Sequence, residues 1–212
     1  MLELFDVKFS DLNKYSDQLY RLRKRTFSDR LNWNVKCRHD MEFDEFDNSS
    51  TIYILGVYRG QLICSVRFIS LKKPNMINHT FNNYFSDVKL PMVGVESSRF
   101  FVDKMSAKRL GENNFSFSKA LFLAMVSWAK FNNYEGIYTI VSRPMLIILR
   151  RTGWKVKILK EVNIDTKKKE VIYLLYLPAD VMNRIILERG FLLPSSHSDV
   201  SSSIWPLTLP VL

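Results

Sequence analysis

One stretch sets the terms for everything else in this chain: Gly94-Val95-Glu96-Ser97-Ser98-Arg99-Phe100-Phe101-Val102-Asp103. It sets a carboxylate, two hydroxyls and a guanidinium among apolar residues, and such groups are costly to bury unless each meets a partner or a substrate. That cost makes the stretch the first candidate for a site. Valine and the paired phenylalanines favour a strand, in which Glu96, Ser98 and Phe100 share one face and Ser97, Arg99 and Phe101 the other. Glu96 and Arg99 then point apart unless a bulge or the strand end re-aims one of them. The plain structural alternative is an ion-paired strand at a sheet edge.

Around this strand the hydrophobic periods alternate between helix and sheet. Leu19, Leu22, Thr26 and Phe27 fall at helical spacing and predict a helix over residues 11 to 27. Ser28 to Ser50 has no clear period but carries Trp33, Phe43, Asp44, Phe46 and Asp47, and a loop that long in a compact domain is commonly functional. Thr51 to Val57 and Leu62 to Ser70 read as strands around the turn Tyr58-Arg59-Gly60-Gln61. Arg67 lies inside the second of them, where an unpaired cation is costly, and Asp44 and Asp47 are its candidate partners. A short helix is expected near Thr80 to Phe85, within a polar loop.

Beyond the central strand, Lys119 to Phe131 is apolar nearly all round and predicts a helix buried on most sides. Ile137 to Ser142 reads as a strand, and Pro144 opens a helix that ends near Gly153. Val156 to Ile164 and Val171 to Leu177 are two further strands, with Lys167-Lys168-Lys169 in a polar hairpin turn between them. A last helix over about Ala179 to Arg189 precedes a tail whose end, from Ile204 to Pro210, is too apolar to float freely. Helices interspersed with strands imply a single α/β domain over residues 1–212, a three-layer αβα sandwich with a mixed central sheet.

Composition narrows the function classes. The chain has 212 residues, 47% hydrophobic and 25% charged, a soluble globular balance with no secretory or membrane-spanning run, so a cytoplasmic protein is expected. Only Cys37 and Cys64 are present and His39, His79 and His197 are scattered, which gives no support to a disulfide framework or a metal centre. Up to Asp103 there are 15 basic and 13 acidic residues, and from Lys104 onward 16 and 8, so most of the net charge of +10 lies in the second half. An acidic macromolecule is the implied partner.

Arg23, Phe27, Trp33, Asp44, Asp47, Arg67, Glu96 and Arg99 form a series of charges and aromatics in otherwise apolar contexts. With Leu22-Arg23-Lys24-Arg25-Thr26-Phe27, Asp44-Glu45-Phe46-Asp47, Cys64-Ser65-Val66-Arg67-Phe68 and Tyr138-Thr139-Ile140-Val141-Ser142, the pattern resembles the acyl-homoserine-lactone synthases, the quorum-sensing signal synthases of Gram-negative bacteria. The resemblance implies an N-acyltransferase related in fold to the acyl-CoA N-acetyltransferases. Such an enzyme takes an acyl chain from acyl carrier protein, joins it to the amine of S-adenosylmethionine, and closes the lactone with loss of methylthioadenosine. It uses no cofactor, since S-adenosylmethionine is a substrate, and neither nucleic acid nor membrane is a partner.

The same resemblance distributes the residues. The N-terminal lobe, residues 1–70, takes S-adenosylmethionine, with Phe27 and Trp33 offering aromatic faces. Arg23 pairs either with the substrate carboxylate or with Asp44 and Asp47, and an ion-pair network of Arg23, Asp44, Asp47, Arg67 and Arg99 that merely holds the loop closed is the equal alternative. Glu96 is the candidate base, acting directly or through a water held by Ser98, with Arg99 beside it. The C-terminal lobe, residues 104–212, takes the acyl chain and the carrier protein. Phe100, Met125, Thr139, Val141, Met145 and Leu175 would line the acyl pocket, although in isolation they read as core. Thr139 needs a hydrogen-bond partner, and a 3-oxo group is one, which favours a 3-oxoacyl chain of short to medium length. Arg150, Arg151, Lys155 and Lys157, with Lys160, suit an acidic carrier protein.

Two rivals are weaker. An acyl-CoA-dependent N-acetyltransferase shares the fold class but usually carries a pyrophosphate loop that neither Arg109-Leu110-Gly111 nor Arg151-Thr152-Gly153 completes. A nucleic-acid-binding module would fit the pI near 9.6, yet the sequence has no helix-turn-helix, RNP-like or zinc-finger signature.

Overall fold

A computed structural model describes residues 1–109, 115–165, 170–189, 191 and 205–211. Its strands are β1 (Leu2–Lys8), β2 (Cys37–Arg38), β3 (Met41–Glu42), β4 (Thr51–Tyr58), β5 (Gln61–Ser70), β6 (Val95–Val102), β7 (Gly136–Ser142), β8 (Lys157–Asp165), β9 (Glu170–Pro178) and β10 (Leu207–Leu209). Its α-helices are α1 (Ser16–Arg23), α2 (Asn82–Phe85), α3 (Lys104–Arg109), α4 (Phe117–Phe131), α5 (Arg143–Arg151) and α6 (Val181–Glu188). Eight strands form one mixed sheet in the order β10-β1-β4-β5-β6-β7-β9-β8, and β2 and β3 pair as a small separate hairpin.

Neighbouring strands run antiparallel except β6 and β7, which pair in parallel over Val95–Ile137, Glu96–Tyr138 and Ser97–Thr139. Beyond Ser97 the two strands part. β6 continues against β5, and β7 against β9. The centre of the sheet therefore opens into a gap at the C-terminal ends of β6 and β7.

Three layers follow from which side chains each face buries. On one side, Leu121, Met125 and Trp128 of α4, Leu146 and Leu149 of α5 and Leu187 of α6 share a core with Val66, Phe68, Val95, Ile137, Val141 and Leu175 of the sheet. On the other, Leu19 and Leu22 of α1 and Phe27 pack on Tyr53, Leu55, Val57 and Phe101, while Ile77 and Phe85 cover Ile172 and Leu174. The α4 helix starts at Ser116, whose hydroxyl accepts from the Lys119 amide at 3.2 Å, and Trp128 stacks on Phe68 at 4.4 Å between centroids. Pro144 lies in the first turn of α5, and Gly153 leaves that helix at φ +86, which only glycine adopts without strain.

The elements depart from the sequence reading in several places. The strand β1, for which no strand was expected, alternates buried Leu2 and Leu4 with exposed Glu3, a pattern that Glu3, Asp6 and Lys8 obscure. The helix expected over 11–27 is three pieces, a 3₁₀ turn at Phe9–Lys14, α1, and a π-helical turn at Lys24–Arg30 that holds Phe27. The long loop after it contains the β2–β3 hairpin. In the sheet, β9 lies between β7 and β8, which leaves β8 at the far edge.

At the other edge, β10 pairs with β1, and the buried Trp205 donates its indole N–H to Asp6 at 2.6 Å. The expected Lys167–Lys169 turn and Ile204 lie outside the described residues. No helix among those described is long and apolar enough to cross a membrane.

Candidate active site

The site forms where β6 changes phase. Arg67 pairs with Ser98 and Ser65 with Phe101, so Val66 alone stands opposite both Arg99 and Phe100. Arg99 is the extra residue, with φ +54, a left-handed backbone that costs a non-glycine residue about 1–3 kcal/mol. The bulge corrects the alternation expected from the sequence. Glu96, Ser98, Arg99 and Phe101 all serve the α1 side, whereas Phe100 crosses to the α4 core, away from Glu96.

Arg99 is held there by carboxylates. Its Nε donates to Glu42 at 3.0 Å and its Nη2 to Asp44 at 2.8 Å. Arg67, fully buried on β5, gives both terminal nitrogens to Asp44, at 2.5 and 3.1 Å, and one of them also to Asp47 at 3.1 Å. Arg23, buried at the end of α1, donates Nε to Glu42 at 2.6 Å and its terminal nitrogens to Asp47 at 2.7 and 2.9 Å. The Tyr53 hydroxyl adds a 2.7 Å bond to Asp47. Three guanidinium groups thus meet three carboxylates in one buried lattice of charge-assisted hydrogen bonds.

The loop that delivers two of those acids is pinned by its own backbone. The Asp44 amide donates to Asp47 at 2.8 Å, the Phe46 amide to Asp44 at 3.0 Å, and the Thr51 hydroxyl to the Phe46 carbonyl at 2.5 Å. The Arg23 and Arg67 guanidiniums hold the Asp47 carboxyl well below the usual range against the opposing cost of burial. Arg23 is spent inside the lattice, so of its two expected roles the geometry favours pairing with protein carboxylates.

Glu96 stands apart from this network. It is completely buried, one oxygen accepts only the Ser98 hydroxyl at 3.3 Å, and the other has no hydrogen-bond partner. Ser98 in turn accepts from Arg67 Nε at 3.1 Å. Burial pushes the Glu96 carboxyl up to about 7, with Arg67, Ser98 and Arg99 pulling against it. A carboxyl titrating there is matched to taking a proton from an amine near neutral pH.

The aromatic pair expected to receive substrate sits beside Arg99. Phe27 is buried, its ring lies 5.5 Å from the Arg99 guanidinium, and Trp33 stacks on it at 5.1 Å. Trp33 is not a core residue, since 44% of it is exposed. It leaves one apolar surface free beside the charge lattice.

On the opposite face of the sheet, Met125 on α4, Val141 on β7 and Leu175 on β9 are buried in the main core, and Phe100 and Met145 pack against it. Phe100 stacks on Phe122 at 4.7 Å. Thr139 joins this wall but donates its hydroxyl to the Ser97 carbonyl at 2.8 Å, a protein partner where a 3-oxo group was expected. On the surface, Arg150, Arg151, Lys155 and Lys157 are exposed together with Ile147, Ile148, Ile158 and Leu159, while Lys160 pairs with Asp87 at 2.6 Å.

Sequence reasoning missed Glu42 and Tyr53. Glu42 was findable by balance, because three arginines in apolar contexts need a third acid besides Asp44 and Asp47. Tyr53 left no signal, since a tyrosine in an apolar strand reads as core.

Comparison with known proteins follows the same lines. A family model described as autoinducer synthase matches residues 8–186. The chain is 54% identical over 212 residues to an acyl-homoserine-lactone synthase of Pantoea stewartii subsp. stewartii, covering 100% of both chains. In fold it is similar to a CoA-dependent acyl-homoserine lactone synthase solved with SAM and isopentyl-CoA, with a TM-score of 0.75 at 17% identity over 89% of this chain and 88% of that one. It is also similar to an acyl-CoA N-acyltransferase from Pseudomonas aeruginosa, with a TM-score of 0.55 at 14% identity over 83% and 98% of the two chains. The three-layer α/β fold of the acyltransferases, expected from the sequence, is the fold observed.

Proposed function

The chain belongs to the autoinducer synthase family, the acyl-homoserine-lactone synthases, and on that premise we propose that it acylates the amine of S-adenosylmethionine with a short to medium 3-oxoacyl chain from acyl carrier protein. The intermediate then closes to the lactone and releases methylthioadenosine. The observation that carries the reading is the placement of Glu96. A buried carboxyl with a free oxygen stands where β6 and β7 part, with the charge lattice and Trp33 on one side and the apolar wall of Phe100, Met125 and Val141 on the other.

In this reading S-adenosylmethionine lies against Phe27 and Trp33, and its ammonium gives up a proton to Glu96, directly or through a water on Ser98. The amine nitrogen attacks the thioester carbon, the C–S bond breaks, and the thiol of the donor leaves. Backbone N–H groups of β6 beyond Ser97, where the parallel ladder has ended, are the natural oxyanion donors. Arg23, Asp44, Asp47, Arg67 and Arg99 hold this floor rigid. In the second step the substrate carboxylate displaces methylthioadenosine from the methylene carbon, and the sulfonium makes that departure easy without a further protein group.

The acyl chain extends past Thr139 into the wall formed with Met145 and Leu175. A 3-oxo group beside Thr139 takes the hydroxyl proton now given to Ser97. The exposed Arg150, Arg151, Lys155 and Lys157 complement an acidic carrier protein, and these substrates put the reaction in the cytoplasm. The test is mass spectrometry of the purified protein with S-adenosylmethionine and matched panels of acyl carrier proteins and acyl-CoAs bearing plain and 3-oxo chains. An N-acyl-homoserine lactone together with methylthioadenosine is expected, fastest with a 3-oxo carrier-protein thioester. Faster turnover of the CoA series would replace the donor, and the absence of both products would overturn the reaction.

A further inference from the structure

The charge count around Glu96 leaves a question that the ion lattice does not answer. Arg23, Arg67 and Arg99 are matched by Glu42, Asp44 and Asp47, so the lattice is neutral before Glu96 is counted. Glu96 has no ion pair among the described residues. Arg67 approaches it from β5 through Ser98, Arg99 follows it on β6, and Asp44 faces it from the loop before β4, repelling its charged form. Both arginines are already bound to carboxylates. The protein supplies no spare cation to make Glu96 an anion.

We propose that the substrate supplies it: the net positive charge of S-adenosylmethionine ionises Glu96 on binding, so the base is switched on by the molecule it will deprotonate. This rests on the reading that the chain takes S-adenosylmethionine. That substrate carries an ammonium and a sulfonium against one carboxylate. Seated beside the free oxygen of Glu96, it favours the carboxylate, and the proton of the carboxylic acid leaves to solvent. The anion then accepts a second proton from the ammonium, and the neutral amine attacks the thioester. Below about pH 7 the empty enzyme keeps most of Glu96 uncharged, at low cost in its buried setting, and no ion pair has to be broken to admit the substrate.

Both Glu96 oxygens are buried, one without a partner, and the two nearby arginines are already paired with other carboxylates. Its raised value is the expected result of that desolvation, and an opposite charge within about 4–6 Å lowers a carboxyl by about 1–3 units. Starting near 7 and lowered by the substrate's charge, Glu96 would release a proton on binding, most at pH 6 and least at pH 8.

Titration calorimetry of the full chain with S-adenosylmethionine, in buffers of low and high ionisation enthalpy, counts those protons. The native protein is expected to follow this fall from pH 6 to pH 8. Glu96→Gln is expected to bind with that component removed, so the difference between the two proteins isolates Glu96 from any proton lost by the substrate amine. S-adenosylhomocysteine, which lacks the sulfonium charge, is expected to release less. If S-adenosylmethionine binds but the native protein and Glu96→Gln release equal numbers of protons throughout, the inference is wrong while the synthase reading stands. If S-adenosylmethionine does not bind and no lactone forms, both fall.

Discussion

The two faces of β6 are built on opposite principles. Towards α1, side chains are fixed by directed, charge-assisted bonds: Arg99 by Glu42 and Asp44, Arg67 by Asp44 and Asp47, Arg23 by Glu42 and Asp47. Towards α4, Phe100, Met125, Val141 and Leu175 are held by shape alone. The first face tolerates almost no change, because removing one member strands a buried charge. The second tolerates volume-conserving exchange at less than about 1.5 kcal/mol. On the proposed reading, a site that holds one invariant polar substrate and accommodates an acyl chain is well served by that division.

The contrast can be broken most severely at Glu96. Glu96→Gln preserves shape and removes basicity, and turnover in the mass-spectrometric assay is expected to fall by about 10²–10⁴-fold. The same variant should be more stable than the native protein, but only at high pH. The folded value of Glu96 lies above its unfolded value, so ionising it inside the fold costs stability as pH rises through 7, by up to about 3 kcal/mol. Below about pH 4 the carboxyl is neutral in both states and the difference vanishes. Urea unfolding at pH 8 and pH 4 checks the sign.

Asp47→Asn tests the lattice itself. It leaves Arg23 and Arg67 short of a counter-charge and turns one accepting oxygen into an amide donor that faces Arg23 and the Asp44 N–H, and a loss of about 3–5 kcal/mol is expected in denaturant unfolding. On the native protein, log kcat/KM should fall with a slope near one as pH drops below about 7, because the proton that Glu96 carries in the free enzyme must be lost before the base can act. A flat acid limb would detach the base from Glu96.

The apolar face sharpens the comparison with smaller effects. Thr139→Val removes the bond to the Ser97 carbonyl at a cost of about 1 kcal/mol, and the ratio of 3-oxo to plain acyl product should fall severalfold. A ratio unchanged by that variant would deny Thr139 any part in reading the 3-oxo group. Smallest of all, Arg150→Glu should leave stability within about 0.5 kcal/mol and slow turnover with carrier-protein substrates mainly at low salt.

The sequence made some of this legible through incongruity. Arg67 between Val66 and Phe68, and Glu96 after Val95, are conspicuous because charges in apolar strands demand partners. Asp44 and Asp47 answer that demand and could be matched to it. The helices α4 and α5 were readable from their apolar periods and from Pro144, Gly153 and Ser116. The phase change at Arg99 was not, since no glycine marks it and the alternation of Phe100 and Phe101 is compatible with either register. Glu42 left only the charge balance as a signal, because it lies outside any regular period in a loop whose hairpin is only two residues on each side. The strand β1 was masked by its own charged residues, and its partner β10 by its distance at the far end of the chain.

The short parallel seam between β6 and β7 has a mechanical consequence. β10, β1, β4, β5 and β6 form one board, β7, β9 and β8 form another, and three residue pairs are the spine between them. The helix α4 lies across both boards as a strap, with its side chains in the common core. Tilting the boards about this spine widens or narrows the gap beside Thr139 without breaking a rung within either board. On the proposed reading, the width open to an acyl chain is thus a property of the binding, not of any single page.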